Sequence, residues 1–208
     1  MQNICLIVFI IFSQLLLAQS DDLYGEKEGS KSDSKSNLYK QKLLLSDDER
    51  IYFQDIVSID STSQKVLFLN TYEWFVDNFN SANEVIQLKD EESGKIIGKG
   101  LSKSLFRARI GGLLNGDLYY TIKVSVKDGK YRFMFTDIDF KLDPIGDVIF
   151  QKTNIETVIL DEYLYKDNGK VRPTNKQYKE LVINQFTTLS ANFKKHMISK
   201  SKSKEEDW

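Results

Sequence analysis

The chain has 208 residues, of which 41% are hydrophobic and 28% are charged, and its formal net charge is −1. That length suits one domain with tails, and 13 Phe, 10 Tyr and 2 Trp residues are enough for an apolar core, which excludes global disorder. The near-neutral charge provides no overall attraction to nucleic acid or to anionic membranes, although it leaves a local basic patch open.

The first 20 residues have the pattern of a signal peptide. Residues 4–17 are almost wholly apolar, and the small-residue sequence Ala18-Gln19-Ser20 follows them. This run is shorter than the roughly 20 apolar residues of a spanning helix. We therefore expect an exported protein, periplasmic or secreted, without stable membrane insertion after signal removal; an uncleaved anchor is the alternative. Cys5, the only cysteine, would leave with the signal, so the mature chain would have no disulfide or zinc–thiolate site.

Residues 21–48 predict a flexible leader, because Ser, Lys, Asp, Glu and Gly dominate its first part. One domain is expected over 49–200, followed by a tail at 201–208. Within the domain, Ile51 to Ile59 alternates between apolar and polar residues, which predicts a half-buried strand. Residues 64–80 predict an amphipathic helix, because apolar side chains recur at helical spacing. That stripe consists of Phe68, Leu69, Tyr72, Phe75, Val76 and Phe79.

Two hairpins are predicted next. The first joins Glu84–Leu88 to Lys95–Gly100 through a turn at Ser93-Gly94, and the second joins Leu118–Lys127 to Lys130–Leu142. Asp128-Gly129 is a preferred pair for a two-residue type I′ turn, so the second register follows by counting outwards. The predicted core pairs are Val126–Tyr131, Val124–Phe133 and Ile122–Phe135. The predicted solvated pairs are Ser125–Arg132, Lys123–Met134 and Thr121–Thr136.

The remainder of the chain contains an ambiguous segment and a long helix. Residues 143–170 read as a possible insertion, in which 148–150 and 157–160 are short strands or a packed connection. Residues 176–198 keep helical spacing of apolar side chains and predict a helix. The order is thus β-α-β-β-β-β-α, an α+β domain whose antiparallel sheet carries two helices on one face.

Four stretches are informative when they are taken together: Tyr72–Phe75, Phe79–Gln87, Gly94–Gly100 and Val126–Arg132. In that order they resemble an exported bacterial family of unknown function with a TBP-like fold. The resemblance extends over roughly Ile51 to Leu142 and, more loosely, the final helix. It implies the same element order and no established catalytic residues. Sharing a fold with the TATA-binding protein does not transfer DNA binding. Because the predicted solvated face offers Lys123, Arg132 and little else of that kind, in a nearly neutral chain, we expect no nucleic-acid partner.

The residues that could belong to a catalytic, phosphate-binding, metal-binding or ligand-binding site each have a simpler structural explanation. His196, the only histidine, lies near a helix end, where a positive group is favourable. Gly98-Lys99-Gly100 lacks P-loop spacing and suggests a bulge or a close helix approach. Asp137, Asp139 and Asp143 lack the glycine and glutamate of a calcium loop, and Asp137 is expected to face Tyr120 and bond it in the core. The aromatic residues Trp74, Phe75 and Phe79 are expected in the core. We therefore expect no metal and no cofactor.

These observations favour a non-enzymatic binding or interaction module of the periplasm or cell envelope. Its predicted contact surface is the solvated sheet face, with Lys123, Ser125, Arg132, Met134 and Thr136. The expected partner is an envelope protein, a glycan or a small ligand. The alternatives are a carboxylate-dependent hydrolase of envelope glycans or peptides, and a carrier of a small ligand in a pocket between sheet and helices.

Overall fold

The structure, a computed structural model, describes residues 43–79, 81–107 and 113–202. The predicted signal peptide, most of the leader and the end of the tail lie outside the described residues. Within those three ranges, no helix is both long and apolar enough to cross a membrane.

The described residues form a seven-stranded antiparallel sheet with strand order β1-β2-β6-β5-β4-β3, while β7 also pairs with β6. The strands are β1 (Leu44–Leu45), β2 (Ile51–Ser58), β3 (Ile86–Asp90), β4 (Lys95–Arg107), β5 (Leu113–Lys127), β6 (Lys130–Leu142) and β7 (Thr153–Asn154). The pairing of β1 with β2 corrects the predicted leader, since the folded domain begins before residue 49.

Two long helices, α1 (Gln64–Asn78) and α5 (Pro173–Lys202), pack against one face of the sheet. The described residues also form three helices of a single turn: α2 (Ala82–Val85), α3 (Glu156–Ile159) and α4 (Asp161–Leu164). The α+β class is confirmed, and the long elements follow the predicted order with β1, α2, β7, α3 and α4 added. The turn α2 occupies the predicted start of β3, and α5 is longer than predicted at both ends.

Aromatic rings from both helices and the sheet form the core. Phe53 of β2 stacks on Phe186 of α5 with ring centroids 4.8 Å apart, and Phe193 of α5 meets Trp74 of α1 at the same distance. Buried aromatic surface of this extent supplies the main stabilisation of a chain whose described part has no disulfide. Leu69 and Val76, predicted in the buried stripe of α1, are 37% and 49% exposed, so the stripe is narrower than predicted.

The β5–β6 register agrees with the prediction at all six pairs. Its turn differs, because φ is positive at Gly129 (73°) but not at Asp128, whereas a type I′ turn needs both. The Asp128 carboxylate is directed instead towards the start of α1, where Oδ1 accepts a hydrogen bond from Gln64 N–H. The predicted turn type is therefore wrong, while the register that it implied is right.

A β-bulge interrupts β6 at Asp137. Its φ of 51° lies in the left-handed region, and the register with β5 shifts between Tyr119 and Thr121. The extra residue changes the alternation, so that Ile138 points into the core after Phe135. The predicted contact between Asp137 and Tyr120 is consequently wrong. The Tyr120 hydroxyl instead shares a hydrogen bond of 2.9 Å with Ser102 Oγ.

Residues 143–170 form a packed connection. Ile155, Ile159 and Leu164 are buried, and the segment adds β7 beside β6. Residues 157–160 lie in and just after the helical turn α3, so a strand there is wrong. Residues 148–150 form no strand either, and Ile149 is 69% exposed.

Candidate functional site

The sheet presents one face to α1 and α5 and the other away from them. We call the second the open face; within the described residues, no helix packs on it. Strand alternation places on it Gln54 and Ile56 of β2, Lys95, Ile97 and Lys99 of β4, Thr121, Lys123, Ser125 and Lys127 of β5, and Lys130, Arg132, Met134 and Thr136 of β6.

The five predicted contact residues all lie on the open face, but they differ in accessibility. Lys123 and Arg132 are exposed, and Ser125 and Met134 are half-buried. Thr136 is only 7% exposed and makes a poor contact residue. It lies directly opposite Thr121, whose Oγ1 accepts a hydrogen bond from Lys99 Nζ at 2.7 Å, so the lysine chain helps to cover this threonine pair.

The open face is more basic than the sequence indicated. The expectation that it offers little else of that kind beyond Lys123 and Arg132 is wrong, because the structure adds Lys95, Lys99, Lys127 and Lys130, all of them exposed. We call these six residues the cation cluster. A chain of nearly zero net charge therefore carries a local positive surface.

Among the described residues, no member of the cation cluster forms an ion pair with a carboxylate. The carboxylates at the opposite end of the open face are already neutralised, since Asp117 binds Lys103 at 2.7 Å and Asp139 binds Lys152 at 2.9 Å. The hydrogen bond that Lys103 donates to the Asp117 carboxylate raises the pKa of Lys103. The unpaired charge is thus concentrated at the end of the sheet nearest the β5–β6 turn.

One further carboxylate lies beside the cluster. Asp90 of β3 is opposite Lys95 in the register, but its two oxygens accept hydrogen bonds from the N–H and Oγ of Ser93, at 3.1 and 2.6 Å. Those hydrogen bonds lower the pKa of Asp90 and hold its charge over the β3–β4 turn. The negative charge of Asp90 therefore offsets part of the positive field of Lys95. It does not pair with the other five members of the cation cluster.

Ser125 occupies the centre of the cation cluster. Lys95 and Arg132 are its direct cross-strand neighbours on β4 and β6, about 5 Å away between Cβ atoms. Lys123 and Lys127 flank it along β5, each about 7 Å away. Within the described residues, the Ser125 side chain has no hydrogen-bond partner.

Two depressions of about 170 and 250 Å³ flank Ser125, and both are lined by Ser125 and Arg132. Lys95, Lys123, Ile97 and Met134 add to the smaller one, and Lys127, Lys130 and Ile56 to the larger. Each is smaller than the 300 Å³ or so of a drug-sized pocket, so the arrangement suits a small charged group attached to a larger molecule.

A larger cleft of about 780 Å³ lies between α5 and the β4–β5 hairpin. Its lining is mostly uncharged polar: Ser104, Asn115, Asn184, Gln185 and Thr188, with Lys103, Asp143 and Leu181. Gln185 Nε2 donates to Ser102 Oγ at 3.0 Å, which connects the helix to the Tyr120 hydrogen bond. Sequence patterns did not reveal this cleft, because its walls come from segments that are distant in the chain; Ser102 and Gln185, which connect them, are 83 residues apart.

The weaker sequence candidates have structural roles. His196 Nε2 lies 3.1 Å from the carbonyl oxygen of Asn70, and its Nδ1 lies 3.8 Å from Asp77 Oδ2, which links α5 to α1. A Cβ on Gly98 would lie 2.5 Å from the Phe75 ring, so this glycine permits the predicted close approach of a helix. In the described part of the chain, no three His, Cys, Asp or Glu side chains cluster as metal ligands would.

The comparisons with known proteins agree with the fold. Residues 53–141 match the model of a domain of unknown function (DUF4468) with TBP-like fold, and no curated protein matches the chain. A DUF4468 family protein from Bacteroides ovatus ATCC 8483 is 18% identical with a TM-score of 0.62, covering 81% of this chain and 96% of its own. A TBP-like protein from Parabacteroides distasonis ATCC 8503 is 16% identical with a TM-score of 0.54, covering 71% of this chain and 92% of its own.

At these identities the likeness to solved structures shows the fold alone. The chain therefore contains an α+β domain of the TBP-like class. The predicted resemblance to a bacterial family of unknown function is confirmed: residues 53–141 match the DUF4468 model, and the two solved structures share its TBP-like fold.

Proposed function

We propose that this protein is a non-enzymatic binding module of the cell envelope that holds an acidic glycan on its open face. The cation cluster carries this proposal, because six exposed cations without carboxylate partners create a field that attracts an anion. The exposed aliphatic side chain of Ile56, beside the cluster, can pack against the C–H surface of a sugar ring.

A nucleic acid fits this surface less well. Proteins that bind single strands stack bases on aromatic side chains, and minor-groove binders insert apolar wedges between base pairs. Tyr52 and Tyr119 are the aromatic residues of the described part of the open face, and both are half-buried. Lys152 Nζ also lies 4.8 Å from the centre of the Tyr119 ring.

A carboxylate-dependent hydrolase has less support than a binding module. Glycoside hydrolysis generally uses two carboxyl groups on either side of the scissile bond. The described residues that line the 780 Å³ cleft include one carboxylate, Asp143.

The binding experiment uses three polysaccharides and the chain without residues 1–20. We expect binding to polygalacturonate and dextran sulfate and none to neutral dextran, with affinity falling as salt rises because exposed charges are screened. Changing Lys123 and Arg132 together to Ala should weaken binding to both polyanions, whereas Lys195→Glu, an exposed position on α5, should not. Equal binding to neutral dextran, or equal loss in both variants, would refute the proposal.

Export is tested separately. Fractionation of the native host should place the protein in the periplasm or the medium, and N-terminal sequencing of that form should begin after residue 18, 19 or 20. A full-length protein in the cytoplasm would refute export and leave the glycan experiment as a test of the open face alone.

A further inference from the structure

We propose that the open face contains a specific site for a phosphate ester carried on a sugar, with Ser125 Oγ at its centre. This inference rests on the proposed function, because it names the anionic group that the glycan presents. It is a narrower claim, since a general polyanion surface needs no central hydroxyl and no preferred anion.

The first argument is the convergence of the cations. They are arranged around one residue rather than along a line, with Lys95 and Arg132 across the strands from Ser125, and Lys123 and Lys127 before and after it. A linear polyanion with single charges is matched by a row of cations. Several cations around one point match a compact group with more than one charge, which a phosphate monoester supplies.

The second argument is the set of hydrogen-bond donors. Arg132 presents a planar fork that suits two phosphate oxygens, and lysine ammonium groups on flexible side chains can reach the third. The Ser125 hydroxyl has no partner within the described residues and can donate to the same group. A carboxylate has only two oxygens and one charge, so it uses fewer of these donors.

The third argument is an unfavourable feature of the unliganded surface. Lys127 and Lys130 lie directly opposite each other across the β5–β6 hairpin. Like charges at such a pair destabilise a sheet, and neither lysine forms an ion pair with a carboxylate of the described residues. A bound dianion would remove that repulsion, so the arrangement favours an occupied site.

The surroundings of Ser125 favour a sugar over an acyl chain as the carrier. Ile97 and Met134 line the depression on one side of Ser125 and Arg132, and Ile56 lines the other. These aliphatic patches are small and separated by charges. They can contact the C–H edge of one sugar ring, but they do not form a continuous apolar surface for a membrane.

The test is a titration of the ¹⁵N-labelled chain, without residues 1–20, with glucose 1-phosphate, glucuronate and glucose. We expect glucose 1-phosphate to shift the backbone amides of residues 95, 123–127 and 130–132, glucuronate to bind roughly tenfold more weakly, and glucose not at all. Equal binding of glucuronate would overturn the phosphate preference and leave the acidic-glycan proposal standing. Absence of binding by both anions, together with failure of polygalacturonate, would overturn both.

Variants separate a built site from a general charge effect. Ser125→Ala, which keeps every charge, should weaken glucose 1-phosphate binding several-fold and weaken polygalacturonate binding less. Lys127→Glu should weaken phosphate binding by roughly tenfold or more while raising the melting temperature, because it pairs with Lys130. Lys195→Glu should change neither. Unchanged phosphate affinity in Ser125→Ala would overturn the role of Ser125.

Two further ligands test the identity of the carrier. Vesicles rich in phosphatidylglycerol and a short DNA duplex are compared with glucose 1-phosphate at the same phosphate concentration and ionic strength. We expect both to be displaced by modest salt and to be insensitive to Ser125→Ala. Binding of either that is tighter than that of the sugar phosphate and lost in Ser125→Ala would overturn the sugar as carrier.

Discussion

Asp128, at the tip of the β5–β6 hairpin, accepts a hydrogen bond of 2.6 Å from the backbone N–H of Gln64, the first residue of α1. The first N–H groups of a helix lack intrahelical partners, and a negative charge there is favoured by the helix dipole. At the same corner, Gly129 N–H donates to the carbonyl of Thr62, and the Gly129 carbonyl accepts from Ile59 N–H, both at 2.8 Å. The hairpin tip therefore fixes the start of α1 against the sheet.

Removal of this capping carboxylate should destabilise the domain. We expect Asp128→Ala to lower the free energy of unfolding by about 1–2 kcal/mol, the usual cost of losing a helix cap. Urea denaturation at pH 7 measures the change. Asp147→Ala is the matched control, since Asp147 is exposed and lies on a loop, and it should stay within about 0.5 kcal/mol of the parent. Equal stability of the two variants would contradict the capping role.

Replacement by phenylalanine should have different effects on the stability of the domain at two buried tyrosines, Tyr131 and Tyr120. The Tyr131 hydroxyl is buried and has no hydrogen-bond partner among the described residues, whereas the Tyr120 hydroxyl forms a hydrogen bond with Ser102. We expect Tyr131→Phe to be neutral or stabilising by up to about 1 kcal/mol, because it removes an unsatisfied polar group. Tyr120→Phe should cost about 0.5–1.5 kcal/mol. Thermal denaturation compares them, and a larger loss in Tyr131→Phe would show that its hydroxyl has a partner.

The same tyrosines predict a loss of stability at alkaline pH. Burial raises the pKa of Tyr131 above its ordinary value, and the nearby negative charge of Asp55 adds to the shift; burial likewise raises the pKa of Tyr120. The folded state therefore retains protons that the unfolded state loses, so this contribution is complete below the unfolded pKa of about 10 and declines above it. Urea denaturation between pH 8 and pH 11 should show a smaller decline for Tyr131→Phe than for the parent. An identical decline in Tyr131→Phe and the parent would contradict the assignment of this pH dependence to Tyr131.

The β5–β6 hairpin could be predicted from the sequence because the residues that determine its register lie close together in the chain. Asp128-Gly129 fixes the number of turn residues, and alternation then assigns every side chain to a face. The bulge at Asp137 was not predictable in this way, because left-handed backbone at an aspartate leaves no clear pattern in one sequence. One inserted residue reverses which face of the sheet the following side chains occupy. The contact expected between Asp137 and Tyr120 is therefore not formed.

The candidate site was only partly predictable for a related reason. Lys123, Ser125 and Arg132 belong to one hairpin, so counting from its turn places them together. Lys95 reaches Ser125 from β4, and the sequence between β4 and β5 contains no Asp-Gly pair like Asp128-Gly129 from which their register could be counted. The convergence of cations on Ser125 thus depends on a register that only the folded sheet defines.

Gly100 should be intolerant of a methyl group. A Cβ there would lie 2.1 Å from Cε2 of Tyr120, which is buried beneath it. Alanine in a strand normally improves on glycine, so a loss of stability would have to come from this overlap. We expect Gly100→Ala to cost about 1–3 kcal/mol by urea denaturation, the usual range for overpacking.

A double-mutant cycle isolates the cause of that loss. In a Tyr120→Ala background the ring is absent, so the cost of Gly100→Ala should fall to near zero or change sign. The Tyr120→Ala background is itself destabilised by the cavity that it creates, and only the difference between the two Gly100→Ala effects is interpreted. The same cost in both backgrounds would show that the backbone at Gly100, rather than the ring of Tyr120, excludes a side chain.

Glu156 should anchor the connection formed by residues 143–170 to the sheet. It is 7% exposed, its Oε1 accepts a hydrogen bond of 2.8 Å from Ile51 N–H, and Arg50 Nε lies 3.8 Å away. We expect Glu156→Ala to cost about 2–4 kcal/mol, because it leaves a buried N–H unpaired and a cation uncompensated. Glu156→Gln keeps an acceptor for Ile51 and should cost roughly half as much.

Limited proteolysis of these variants separates local release from global unfolding. If Glu156 holds the connection in place, Glu156→Ala should be cut first within residues 143–172, at urea concentrations where the core helices remain protected. Glu180→Ala, at an exposed position on α5, should be cut like the parent. Parent-like proteolysis and stability in Glu156→Ala would mean that Ile155 and Ile159 hold this segment by apolar burial alone. Equal losses in the Ala and Gln variants would instead assign the whole effect to the charge.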